Sequence, residues 1–135
     1  MEAERKTVKS SIMENKEQIL CFGEILWDTL PSGRRPGGAP MNVALHLNRF
    51  GIKSIVASSV GNDEDGKELL YFLKKTGLDT RLVQINKKLP TSEARVILDK
   101  DNNATFVIVE PVAWDNISLD TELIKELKNS RALVY

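Results

Sequence analysis

Apolar and polar positions alternate along this chain in blocks that predict strands and helices in turn. Four runs rich in apolar residues, typical of buried strands, occupy residues 19–26, 52–60, 81–85 and 132–135. Three segments between them carry apolar side chains at helical spacing and end at a glycine or at lysines; they are residues 41–50, 63–76 and 118–128. This succession predicts an α/β fold with a parallel sheet and right-handed crossovers.

One part of the chain departs from this rhythm. Residues 93–98 and 104–109 are both β-rich, and the polar turn at residues 99–103 separates them. This pattern predicts an antiparallel hairpin. An excursion that contains arginine and proline, residues 29–36, also interrupts the passage from the first strand to the first helix. The hairpin and the excursion together predict a small extra sheet that projects from the main one.

Composition narrows the class of protein. Residues 1–18 are polar and mixed in charge, which predicts a tail outside a single domain of residues 19–135. Lys plus Arg number 19 and Asp plus Glu number 19, so the charge balance indicates neither a nucleic-acid nor a membrane partner. The single cysteine, Cys21, excludes an intramolecular disulfide and favours a cytoplasmic protein. The only histidine, His46, has no Cys or His partner, so no metal site is predicted.

The candidate chemistry is concentrated in the segment Gly-Gly-Ala-Pro-Met-Asn-Val-Ala at residues 37–44. Glycines let a ligand approach the backbone closely because they have no Cβ. Pro40 suits the first turn of a helix, and Asn42 then offers both a donor and an acceptor. A phosphate loop of the Walker type requires a Gly-Lys-Ser/Thr ending, which the chain lacks. The segment therefore indicates a binding turn of another kind.

This segment resembles the N-terminal signature of the ribokinase-like, or PfkB-type, carbohydrate kinases. That signature has a glycine pair, a small residue or proline, an asparagine, a small residue and two spaced glycines; the matching residues here are Gly37, Gly38, Pro40, Asn42, Ala44, Gly51 and Gly61. The run at residues 23–28 is most similar to bacterial fructokinases. The resemblance implies a ribokinase-like parallel sheet flanked by helices, with a β lid from residues 29–36 and 93–109 over the sugar site.

A second signature of this family, Asp-Thr-x-Gly-Ala-Gly-Asp, is not present in the 135 residues. In the family it supplies the anion hole and the general base. We therefore expect residues 19–135 to be the N-terminal part of such a kinase, truncated before the nucleotide-binding half and inactive alone. The resemblance implies ATP and magnesium as cofactors of the full-length enzyme, neither bound by this part. The DNA downstream of Tyr135 would separate an incomplete record from a natural truncation.

The resemblance also implies which residues contact the sugar. A sugar presents its hydroxyls in vicinal pairs; a carboxylate accepts two hydrogen bonds, and an asparagine donates and accepts together. Asp28 and Asn42 are the predicted pair, with the glycines Gly37 and Gly38 between them. By spacing alone, the simpler interpretations are that Asp28 is a turn residue at the end of a strand and that Asn42 is an ordinary residue of a first helical turn. Arg95 is a further candidate, which faces either the ligand or solvent.

The function implied is phosphoryl transfer from ATP to a primary sugar hydroxyl, with fructose as the favoured acceptor. Ribose, a nucleoside and 2-keto-3-deoxygluconate remain alternative acceptors, because kinases for them share the glycine and asparagine segment. A different alternative is a truncated, non-catalytic module for sugar binding or dimerisation. The apolar residues of the predicted hairpin also favour a homodimer through the lid.

Overall fold

The computed structural model describes residues 17–135, which form two four-stranded sheets and three α-helices. The strands are β1 (Gln18–Phe22), β2 (Leu26–Leu30), β3 (Gly33–Gly37), β4 (Ser54–Gly61), β5 (Val83–Asn86), β6 (Ser92–Leu98), β7 (Ala104–Ile108) and β8 (Ser130–Val134). The helices are α1 (Ala39–Arg49), α2 (Glu64–Lys75) and α3 (Thr121–Asn129), with a short 3-10 helix at Ala113–Asn116. No helix of this described part is long and apolar enough to cross a membrane.

The main sheet has the order β5-β4-β1-β8, and all of its pairings are parallel. The predicted fold class is therefore confirmed. All eight residues of β4 are buried, because helices or loops cover both faces of the sheet at this central strand. One face carries an apolar cluster that includes Val56, Met41 of α1 and Leu69 of α2. The other face carries a smaller cluster that includes Ile55 and Leu123 of α3.

The second sheet has the order β3-β2-β6-β7. β2 and β3 form an antiparallel hairpin, β2 pairs in parallel with β6, and β6 and β7 form the hairpin predicted near residues 93–109. All five residues of β7 are exposed. The excursion predicted at residues 29–36 is thus part of a longer hairpin that begins at Leu26 and ends at Gly37.

The single strand predicted at residues 19–26 is wrong, because the chain leaves the main sheet after Phe22 and enters the second sheet at Leu26. Gly23 makes this crossing with a φ of 141°, a backbone conformation that residues with a side chain rarely adopt. A Cβ on Gly23 would lie 2.9 Å from Cγ of Pro40. As a result Asp28 lies within β2 and not in a turn at the end of a strand.

Other boundaries differ from the prediction by a few residues, and polar side chains account for two of these differences. The predicted tail, residues 1–18, lies outside the described residues except for its last two, and Gln18 is the buried first residue of β1. Its side-chain amide donates to the carboxylate of Glu126, 2.9 Å away, which accounts for a buried glutamine there. The third helix begins at Thr121 and not at residue 118, because the Asp120 carboxylate caps it through the backbone N–H of Leu123.

Candidate functional site

The candidate site is built around the turn from β3 into α1. Gly38 is the N-cap of α1 and has a φ of 116°. A Cβ at Gly38 would overlap the backbone carbonyl oxygen of Glu24, so only glycine fits there. The Glu24 carboxylate in turn accepts a hydrogen bond from the backbone N–H of Ala39 at 3.0 Å. The helix therefore begins against the chain segment that crosses between the two sheets.

The Asp28 carboxylate lies against this turn from the side of β2. A Cβ at Gly37 would overlap Oδ2 of Asp28, so the missing side chain of Gly37 makes the space that the carboxylate occupies. Asp28 is half-buried, and this burial raises its pKa. Within residues 17–135 no hydrogen bond or ion pair to its carboxylate is found. Its acceptor oxygens are thus open to a ligand that donates hydrogen bonds.

Asn42 lies in the first turn of α1, and its side chain is exposed. Its backbone N–H donates to the carbonyl oxygen of Gly38 at 2.9 Å, which fixes it one helical turn after the glycine pair. The structure therefore brings Asp28 and Gly37 into contact and places Gly38 and Asn42 on the helix that starts next to them. A carboxylate, an amide and a glycine turn without side chains together suit a ligand rich in hydroxyl groups.

Arg95 is not brought to this place. The register of β2 and β6 aligns Arg95 with Thr29 and Ala94 with Asp28, so Arg95 and Asp28 lie on opposite faces of the second sheet. Its guanidinium contacts the Glu93 carboxylate at 3.3 Å. The hydroxyl of Thr29, and then Arg95, lower the pKa of Glu93 although partial burial opposes the shift.

Arg35 lies on the same face of the second sheet as Asp28, opposite to Arg95. It was not predicted from the sequence. It is aligned directly with Asp28 across the β2–β3 hairpin, and its side chain is exposed. The pair of consecutive arginines could have indicated it, because two consecutive residues of a strand point to opposite faces of the sheet. Arg34, the other member, lies 4.2 Å from the ring centroid of Trp27 and pairs with Asp65 and Glu68 on α2.

The surroundings of the other reactive or polar side chains indicate structural and not chemical roles. Cys21 is fully buried, and burial raises its pKa to about 11, so its thiol is un-ionised at neutral pH. His46 is exposed on α1. The Asp115 carboxylate accepts from the backbone N–H of Val112 at 2.9 Å, while the indole nitrogen of Trp114 is buried with no partner among the described residues.

A parallel α/β sheet whose glycine turn faces a small second sheet is the architecture of ribokinase-like sugar kinases, and comparison with known proteins agrees. The model of the pfkB family carbohydrate kinases matches residues 16–135. This chain therefore belongs to the pfkB carbohydrate kinase family.

Individual relatives show how much of the family's length the chain spans. It is 35% identical over 127 residues to "Probable fructokinase-5" of Arabidopsis thaliana and covers 39% of that protein. Among solved structures, an uncharacterized sugar kinase of Pyrococcus horikoshii in complex with ATP is similar with a TM-score of 0.70 and 33% identity; the match covers 80% of this chain and 40% of that one. A fructokinase double mutant of Vibrio cholerae, bound to fructose, ADP and potassium, has a TM-score of 0.66 and 28% identity, with 77% and 36% covered. The chain thus spans about two fifths of the length of these relatives.

Proposed function

We propose that this chain is the sugar-binding part of an ATP-dependent carbohydrate kinase and that fructose is the favoured acceptor. The observation that carries the proposal is the half-buried Asp28 carboxylate, which lies against Gly37 and has no partner among residues 17–135. A carboxylate desolvated in this way gains most from a ligand that donates hydrogen bonds. The relatives named fructokinases support fructose as that ligand.

Each residue has a proposed role at the sugar. Asp28 accepts hydrogen bonds from two hydroxyls, Asn42 donates and accepts, and Gly37 and Gly38 let the sugar approach the backbone. Arg35, aligned with Asp28, is a better candidate for a further contact than Arg95, which lies on the other face. Asp28→Ala should weaken sugar binding by roughly 1.5–3 kcal/mol and Asn42→Ala by roughly 1 kcal/mol.

The chemistry of phosphoryl transfer would come from a part of the enzyme that carries the Gly-Ala-Gly-Asp stretch, which these 135 residues do not contain. In the full-length kinase, ATP and magnesium would act there, and the residues described here would orient the acceptor hydroxyl. We expect the 135-residue chain to show no turnover in a coupled ADP-release assay with fructose, ATP and magnesium. Turnover above that of a boiled control would mean that this part holds a phosphoryl-transfer site of its own.

We also propose a cytoplasmic homodimer that forms through the second sheet. Its edge strand β7 is unpaired on one side within residues 17–135. Its apolar side chains are exposed, Phe106 at 63% and Ile108 at 41%, as is Ile97 of β6 at 57%. An exposed apolar edge strand favours pairing with a second copy of the same sheet. Deleting residues 95–108 with a shortened turn should give a monomer in light scattering, and a surviving dimer would place the interface elsewhere.

The experiment that tests the sugar site is a titration of the isotope-labelled chain, followed by the backbone NMR signals of Gly38 and Asn42. We expect fructose to shift these signals, ribose and 2-keto-3-deoxygluconate to shift them less, and Asp28→Asn to abolish the shifts. A larger response to another sugar would identify that acceptor instead. Signals that do not move with any of the sugars, although the chain is folded, would contradict the proposal.

A further inference from the structure

The carboxylate of Asp63 connects three segments of the chain. It lies just after β4, as the N-cap of α2. Its Oδ1 accepts hydrogen bonds from the backbone N–H of Gly66 at 2.9 Å and from the hydroxyl of Thr91 at 2.6 Å. Its Oδ2 accepts from the backbone N–H of Thr91 at 2.8 Å. One carboxylate thus caps its own helix and also holds a residue 28 positions further along the chain.

Thr91 completes this hydrogen-bond network. Its hydroxyl accepts a hydrogen bond from the backbone N–H of Gly61 at 2.9 Å, and the residue is 8% exposed. A Cβ on Gly61 would lie 2.5 Å from the backbone nitrogen of Thr91, and a Cβ on Gly66 would lie 2.8 Å from the Thr91 hydroxyl oxygen. The two glycines therefore allow the end of β4 and the start of α2 to approach Thr91. We call this group, Gly61, Asp63, Gly66 and Thr91, the Asp63 clasp.

The clasp bears on the sugar site through the second sheet. Thr91 immediately precedes β6, and β6 pairs in register with β2, aligning Ser92 with Leu26 and Ala94 with Asp28. A fixed Thr91 therefore fixes the strand beside Asp28 relative to the main sheet. β2 is also connected to the main sheet by the crossing at Gly23 and by Trp27, whose indole nitrogen donates to the carbonyl oxygen of Asp65 on α2.

We propose that Asp63 is a positioning residue for sugar binding: through Thr91 it holds β6, and through β6 it sets where the Asp28 carboxylate stands over the glycine turn. This inference rests on the proposed function of Asp28 and deepens it. Burial raises the pKa of Asp63, but the hydrogen bonds from Thr91 and Gly66 outweigh burial and lower the pKa overall, so the clasp holds an ionised carboxylate at neutral pH.

The substitution Asp63→Asn separates the cap from the clasp. Asparagine is as good an N-cap as aspartate, so its oxygen can still accept from Gly66. Its amide group, however, would then face the backbone N–H of Thr91, and two donors cannot bond. Asp120→Asn is the matched control, because Asp120 caps α3 through Leu123 at 2.8 Å and makes no other side-chain hydrogen bond within the described residues.

The test compares Asp63→Asn, Thr91→Val, Thr91→Ser and Asp120→Asn with the wild-type chain, by hydrogen exchange and by fructose titration followed by NMR. We expect Asp63→Asn and Thr91→Val to speed exchange in β6 and β2 by roughly tenfold or more and to weaken fructose binding by roughly tenfold, since each loses a charge-assisted hydrogen bond. Exchange in β1 and in residues 54–60 of β4 should stay near wild type. Thr91→Ser, which keeps the hydroxyl, and Asp120→Asn should match wild type in both measurements.

The outcomes distinguish this inference from the proposed function. If the wild-type chain binds fructose and Asp63→Asn binds it equally well, the positioning role is wrong. If Asp63→Asn speeds exchange in β1 and β4 as much as in β6, Asp63 is only a general stabiliser and the inference is also wrong. If the wild-type chain does not bind sugar, the proposed function fails, and the positioning role, which rests on it, fails too. If Asp63→Asn does not fold, Thr91→Val compared with Thr91→Ser decides the question in the same way.

Discussion

The two sheets of this chain differ in how far apolar burial holds them in place. In the main sheet every residue of β4 is buried, with apolar clusters on both faces. In the second sheet every residue of β7 is exposed. The second sheet contributes Trp27 of β2 to the apolar cluster of the main sheet, and it is further attached to α2 by directional contacts. The indole nitrogen of Trp27 donates to the carbonyl oxygen of Asp65 at 3.1 Å, Arg34 pairs with Asp65 and Glu68, and Asp63 holds Thr91.

This difference shows how stability and function are divided. Apolar burial is strong but non-directional, and it stabilises the sheet that carries the whole structure. Hydrogen bonds and ion pairs are weaker in net terms but depend on geometry, and they orient the sheet that carries Asp28. The scaffold should therefore be sensitive to side-chain volume, and the site-bearing sheet to polar partners, pH and salt.

The largest effect is expected from a cavity in the main core. Leu69 lies on α2 and is fully buried against the main sheet. Leu69→Ala should lower the free energy of unfolding by about 2–5 kcal/mol, from lost transfer energy and the cavity left behind. Phe106→Ala, at an exposed position of β7, should change it by less than about 0.5 kcal/mol in the monomer. Urea unfolding measures both changes in the free energy of unfolding, and equal losses would contradict the proposed difference between the two sheets.

A smaller effect is expected from adding one methyl group at the glycine turn. Gly38→Ala forces a Cβ into the carbonyl oxygen of Glu24, whereas Gly33→Ala has the same sign of φ but no heavy atom within 4 Å of the new Cβ. Both variants bear a backbone strain of roughly 1–3 kcal/mol. Only Gly38→Ala should also abolish the fructose-dependent NMR shifts. Loss of sugar binding in both variants would show that strain anywhere in the β2–β3 hairpin has the same consequence.

The two aspartates should respond to pH with opposite signs. The lowered pKa of Asp63 gives stability that is complete above the ordinary aspartate pKa and is lost as pH falls through the lowered value. The raised pKa of Asp28 gives stability that is present below the ordinary value and is lost as pH rises through the raised one. In urea midpoints from acid to neutral pH, Asp63→Asn should therefore flatten the acid loss and Asp28→Asn should steepen it. A change of the same sign in both variants would contradict these environments.

The smallest effect is expected at the exposed ion pairs between Arg34 and α2. Arg34→Lys loses the planar fork that reaches two carboxylates and also stacks on Trp27. Because the side chains are 39–49% exposed, the loss should be about 0.2–1 kcal/mol at low salt and should disappear at high salt. Arg95→Lys serves as the control, since Arg95 pairs only with Glu93 on its own strand among the described residues. A salt-independent loss would mean that packing on Trp27 is the main interaction.

The sequence predicted the elements better than the contacts between them. Helical and strand periods located α1, α2 and the β6–β7 hairpin, because these features depend on residues near one another in the chain. The split of the first strand was missed because Phe22 and Leu26 are both apolar and the break lies in the backbone of Gly23. The face of the sheet on which Arg95 lies could not be predicted. The alternation of side chains along a strand shows which residues share a face, but the pairing with β2 is needed to tell which face that is.

The hydrogen bonds of buried polar groups whose partners are far away in the sequence could not be predicted either. Gln18 is buried because Glu126, 108 residues away, accepts its hydrogen bond, and Arg81 pairs with the same carboxylate oxygen at 3.2 Å. Thr91 gives no local signal of its contact with Asp63. Such pairs depend on how the chain folds back on itself, which local patterns do not encode.

A crystal structure of the protein with bound fructose tests the central claim most directly. We predict that sugar hydroxyls lie at hydrogen-bonding distance, about 2.6–3.2 Å, from the Asp28 carboxylate. We also predict that the sugar ring packs against the glycine pair and that the Asn42 amide is within reach. Fructose bound elsewhere, with the Asp28 carboxylate uncontacted, would contradict the account.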